Sequence, residues 1–70
     1  MVATKIENRI RSLRFMSDEM TQQKLAKCVV VTRQTILAIE AGRYSPSLEV
    51  AFKIARVIGQ GVDDVFLYPK

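Results

Sequence analysis

The residues equipped for chemistry are few: one cysteine, one adjacent pair of aspartates, and eleven lysines and arginines, with no histidine. The commonest neutral-pH acid/base and the commonest metal ligand are both missing. Cys28 stands alone, so it forms no internal disulfide and fits a reducing, cytoplasmic setting. With only Lys24 and Lys27 near it on a helix, it reads as a small, partly buried helix residue rather than a redox switch. Asp63 and Asp64 sit in the first turn of a short helix, where the dipole favours negative charge. Successive helical side chains point about 100° apart, so the pair does not converge on a metal or a substrate. No nucleophile–base pair and no phosphate-cradling glycine-rich loop is present. The expectation is a protein that is not an enzyme and uses no cofactor and no metal.

What remains is basic charge. The net charge is +4, and residues 1–35 hold all the excess, with seven basic and three acidic groups; residues 36–70 carry four of each. Concentration in one half is the footprint of a polyanion-binding face. Arg9 and Arg11 read as solvated, while Lys24 and Lys27 supply long-range attraction.

The elements that position this charge are helices. Seventy residues make one domain, 1–70, which buries only about three-fifths of its unfolded surface and so depends on close helix packing or a partner. At 49% hydrophobic with three glycines and two prolines the chain is a folded, soluble one. No uninterrupted apolar run, such as Cys28–Val31, exceeds four residues against the ~18 a membrane span needs. The N-terminal MVATKIENR has no export-signal pattern.

Five helices are predicted. The first spans Lys5 to Met16 with Ile6, Ile10 and Leu13 on one face. The second starts at Gln22 behind the cap Thr21, buries Leu25, Ala26 and Val29, and stops before Val30-Val31. The third follows cap Thr32, runs from Arg33 to Ala41 and stops at Gly42. It turns Ile36 and Ile39 inward and Gln34, Leu37, Ala38 and Ala41 outward. Ser45 and Pro46 read as cap and first residue of the fourth, which ends at Gly59. The fifth spans Val62 to Phe66. The fourth helix is apolar on almost every side, more than a small monomer buries, which points to a second chain on its flank.

Two helices joined by three or four residues, the second presenting polar groups outward, describe a helix-turn-helix. Counted from Gln22, the fifth position is Ala26, small enough for the helices to cross. The fourth, eighth, tenth, fifteenth and eighteenth are Leu25, Val29, Val31, Ile36 and Ile39, all apolar. Six constrained positions agree.

With these residues in place, the stretch from MTQQKLAKCVVVTRQTILAIE to GVDDVF, together with IRSLR at 10–14, resembles the Cro/repressor-type (XRE) helix-turn-helix regulators, in particular their short, one-domain dimeric members. The resemblance implies an all-α, five-helix lambda-repressor-like domain with a small terminal strand pair, for which Val2–Thr4 and Phe66–Tyr68 are the candidates. It implies that Gln22 bonds a DNA phosphate and that the third helix enters the major groove. Thr32, Arg33, Gln34 and Thr35 then meet bases, Gln34 suiting adenine and Arg33 guanine or phosphate, while Leu37 offers a methyl surface to thymine and Ala38 lies beside it. Arg43 and Tyr44 meet the sugar-phosphate backbone, and Arg14 with Glu40 ties the first helix to the third. The implied partners are double-stranded operator DNA, palindromic, and a second copy of the chain, with no small-molecule effector and no membrane. Val50, Val57, Val65, Leu67 and Tyr68 are the expected dimer contacts.

Three departures from the family pattern stand out. Val30 occupies the ninth motif position, where relatives usually place glycine in a left-handed turn; a β-branched residue there costs roughly 1–2 kcal/mol unless the turn takes another shape. The loop Phe15–Glu19 lacks the usual glycine and is one residue longer. Ala38 and Ala41 replace polar readers, which shifts recognition toward DNA shape. Two other roles fit the same sequence: an antitoxin or phage-type switch protein that also binds a protein, and a protein-interaction adaptor that binds no DNA.

Overall fold

The computed structural model describes residues 5–43 and 45–69. Five helices carry the chain: α1 (Ile10–Met16), α2 (Gln22–Val29), α3 (Arg33–Glu40), α4 (Leu48–Ile58) and α5 (Val62–Val65). A two-residue strand precedes them, β1 (Glu7–Asn8), and another closes the chain, β2 (Phe66–Leu67). The strands pair antiparallel, Glu7 opposite Leu67 and Asn8 opposite Phe66. The core is one cluster in which Ile10, Leu25, Val29, Ile36, Ile39, Ile54 and Val65 are almost fully buried. The inward residues expected for the second and third helices, Leu25, Ala26, Val29, Ile36 and Ile39, are all in it.

Both motif helices start where their caps place them. Thr21 Oγ1 accepts from Lys24 N at 3.0 Å, and Thr32 Oγ1 accepts from Thr35 N at 3.2 Å. Their ends share one geometry. Past α3, Gly42 turns left-handed at φ 72°, its N–H donating to Ile39 O while Arg43 N donates to Ala38 O. Past α4, Gly59 also turns left-handed, at φ 82°, with Gly59 N and Gln60 N both donating to Ala55 O. Past α2 the left-handed residue is Val30, at φ 63° and ψ 51°, with Val30 N donating to Lys27 O and Val31 N to Ala26 O. The turn keeps its left-handed shape and valine takes the strained position, 80% exposed.

Five boundaries differ from expectation. The first helix begins at Ile10, not Lys5, because Glu7 and Asn8 are drawn into the ribbon, and Asn8 Oδ1 accepts from Ile10 N at 3.3 Å at its start. The strand pair therefore uses Glu7–Asn8 with Phe66–Leu67; Val2–Thr4 lie outside the described residues, and Phe66 leaves the fifth helix for β2. The fourth helix is capped by Ser47, whose Oγ accepts from Val50 N at 3.3 Å, so Ser45 and Pro46 stay in the loop before it. The third ends one residue early, at Glu40. In the long loop after α1, Asp18 and Glu19 both turn left-handed, at φ 61° and 53°. Met20 N then returns to Arg14 O, and Arg14 Nη1 donates to Met20 O, each over short distances of 3.0 and 2.8 Å.

Candidate nucleic-acid interface

The outer face of α3 is built by the period of the helix. Burying Ile36 and Ile39 leaves Arg33, Gln34 and Leu37 exposed and Ala38 half-exposed. Gln34, Leu37, Ala38, Ala41 and Arg43 line one open depression of about 340 Å³, so five residues read as outward or loop-borne do share a surface. Arg43 is exposed, while its backbone N–H is fixed on α3. Tyr44 lies outside the described residues.

Thr32 and Thr35 are partly committed inside the protein. Besides the cap, their hydroxyls share a hydrogen bond of 2.9 Å, which leaves Arg33 and Gln34 as the long side chains without an internal partner among the described residues. Arg33 faces a second cleft, of about 490 Å³, together with Gln22, Gln23 and Thr21. Arg11 lines it too, although its sequence context reads only as solvated. Its place three residues before Arg14, on the same helical flank, is the signal that could have found it.

Glu40 organises the floor of that cleft. Arg14 reaches it through Nε at 2.8 Å and Nη2 at 3.3 Å, both side chains being about nine-tenths buried. Gln22 Nε2 donates to the same carboxylate, to Oε1, at 3.0 Å. The Arg14–Glu40 pair is thus present as expected, and Gln22 is its third member: its amide donor is used internally. What the start of α2 offers outward is the Gln22 carbonyl oxygen and the backbone N–H groups of Gln22 and Gln23, with Arg11 and Arg33 nearby. Chemically this arrangement can hold an anion and can meet hydrogen-bonding edges. No group of three His, Cys, Asp or Glu residues among the described ones could hold a metal.

Val65 does not belong with the expected dimer contacts. It is fully buried at the centre of the core, where α5 meets the rest of the domain, and has no surface to give a partner. Val50 and Val57 are half-buried against that core, and Leu67 and Tyr68 are exposed.

Residues 10–65 match the model of the helix-turn-helix family. The chain belongs to the helix-turn-helix family. Within it the residues at 22–42 mark the Cro/repressor (XRE) type, and its relatives are regulators rather than enzymes. An uncharacterised HTH-type transcriptional regulator of Methanocaldococcus jannaschii is 46% identical over 63 residues, covering 90% of this chain and 94% of that one. The HTH-type transcriptional regulator YgzD of Bacillus subtilis is 43% identical, covering 87% and 91%. Among solved structures, the P22 c2 repressor bound to a synthetic operator superposes with a TM-score of 0.72 at 25% identity, covering 79% of this chain and 82% of that chain. The clp gene regulator ClgR of Corynebacterium glutamicum gives 0.71 at 27%, covering 79% of this chain and 57% of that chain. This helix-turn-helix protein is therefore a DNA-binding regulator with a lambda/P22-repressor-like domain. None of its described helices is long and apolar enough to cross a membrane.

Proposed function

We propose that the protein is a homodimeric, sequence-specific repressor that works in the cytoplasm by inserting α3 into the major groove of a palindromic operator and occluding the promoter. The observation that carries this is the exposure of Arg33 and Gln34 at the capped start of α3, without internal partners among the described residues, with Arg33 beside the start of α2. A glutamine amide matches the donor–acceptor edge of adenine, and an arginine fork matches guanine or a phosphate. Gln22, through its backbone N–H, and Arg43 then fix the helix against the phosphates, and Leu37 lies over a thymine methyl. Thr32 and Thr35 contribute through the cap that aims the helix, and Tyr44 extends the backbone contacts from the following loop. An adaptor that binds only proteins has no use for this set.

Selection of bound duplexes from a random DNA pool at moderate salt tests the reading. Enrichment of a palindrome with half-sites one helical turn apart, about 34 Å, supports it. Recovery of no preferred sequence, with weak salt-sensitive binding alone, overturns it in favour of non-specific binding.

A further inference from the structure

Asn8 stands outside the face just described, in β1, yet it reaches the far end of α3. Its Nδ2 donates to Ile39 O at 2.9 Å and to Glu40 O at 3.5 Å, carbonyls more than thirty residues away in sequence. Its Oδ1 accepts from Ile10 N at the start of α1. Only one orientation of the amide serves both ends, since turning it over would set its oxygen against two carbonyls and its NH2 against an N–H. The strand that carries Asn8 is itself held, by pairing with β2 and by Arg9 N donating to Val65 O at 2.9 Å. The carbonyls at a helix end have no partner within the helix, so they are natural points of attachment. Glu40 is thus gripped twice: its carboxylate by Arg14 and Gln22 from α1 and α2, and its backbone by Asn8 from the ribbon.

We infer that Asn8 is a positioning residue for DNA reading, which anchors the last turn of α3 to the β1–β2 ribbon and so sets the tilt at which α3 enters the groove. The inference rests on the function proposed above. Groups that read a ligand by hydrogen bonds need their supporting shell to hold them within about 0.5 Å and 10–20°. The core holds α3 along its length through Ile36 and Ile39, and polar attachments add the resistance to rotation about that contact. Thr32 bonds only within α3, to Thr35, so the attachments to other elements gather at the finish: Arg14 and Gln22 on the Glu40 side chain and Asn8 on the backbone.

Asn8→Asp is the discriminating variant. It keeps the shape and the acceptor for Ile10 N, removes both Nδ2 donors, and sets a negative charge against the carbonyl end of α3. Operator affinity is expected to fall about tenfold. Affinity for an unrelated duplex and the salt slope are expected to stay as in the wild type, since no phosphate contact is touched. A purely structural loss would lower specific and non-specific binding together, and that result overturns the inference. So does operator affinity within about twofold of the wild type. Amide exchange at Ala41, Gly42 and Arg43, measured on the free protein, is expected to accelerate about tenfold while α2 stays protected. Should the wild-type protein select no DNA sequence, the functional reading fails by itself, and the exchange data alone then decide whether Asn8 holds α3; unchanged exchange at those three amides overturns it.

Discussion

Val30 shows how one side chain can be placed against its own preference. The α2–α3 turn repeats the bonds made around Gly42 after α3 and, in that from the following N–H, around Gly59 after α4, and only here does a β-branched residue take the left-handed conformation. An L-residue in that region costs about 1–2 kcal/mol, and a mostly exposed side chain recovers little by packing. Val30→Gly is therefore expected to stabilise the domain by about 1 kcal/mol net of the entropy glycine loses on folding, which raises the melting temperature by about 4–8 °C. Thermal unfolding followed by circular dichroism measures it; an unchanged or lower midpoint would show the strain is relieved elsewhere. Asp18→Gly should gain less, because aspartate tolerates the left-handed region better than valine. On the DNA side, Arg43 and Gln34 separate two kinds of contact. Arg43→Ala is expected to reduce the slope of log affinity against log salt by about one unit with base preferences unchanged, as for a phosphate contact. Gln34→Ala should leave the slope alone and flatten the preference at one base pair, at a cost of about 1–3 kcal/mol. Titrations of both variants over a salt series tell them apart.

At the scale of elements, what fixes α3 against α1 and α2 is the buried trio Arg14, Glu40 and Gln22. Removing one partner of a buried pair leaves the other charge uncompensated, so Arg14→Met is expected to destabilise the fold by about 3 kcal/mol in urea unfolding. Arg14→Met combined with Glu40→Leu should recover much of that loss, and failure to recover it would mean the trio contributes more than mutual neutralisation. The helices of the motif were legible in the sequence because each carries its own local signal: a threonine cap, a 3.6-residue apolar period, and a stop. The Arg14–Glu40 pair became legible through the family resemblance. The strand pair also came through the resemblance, which located β2 within Phe66–Tyr68 but not β1 at Glu7–Asn8, since two residues have no period to read and their pairing depends on a partner about sixty positions away. That same pairing shortened α1, because Lys5–Arg9 has helical spacing at Ile6 and Ile10 but is claimed by the ribbon and by Asn8. Ser45 and Ser47 offered two plausible caps for α4, and only the closed bond to Val50 N chooses between them. Val65 was misplaced for a related reason. An apolar tail residue looks available to a partner until the fold turns it inward.

The proposed palindromic operator calls for two copies. The described residues span 30 Å at most, less than the ~34 Å between half-sites one turn apart on one face of DNA, so on such an operator a single domain would read one half-site. With Val65 in the core and Val57 packed against it, a charge at Val57 would unfold the domain before it reported on any interface. The exposed end of the ribbon is the better probe: Leu67 is 39% and Tyr68 is 70% exposed, and truncating either leaves the backbone pairing of β1 and β2 intact. Leu67→Ser with Tyr68→Ala is expected to shift the protein from dimer to monomer in sedimentation equilibrium while the melting transition stays cooperative. The same variant should bind a duplex carrying one half-site as the wild type does, yet lose the gain that a second half-site confers, which comes from linking two binding events in one body. A variant that remained dimeric would move the interface to Val50 and the exposed α4 residues. One that became monomeric without losing affinity for the full palindrome would show that the two copies meet only on DNA.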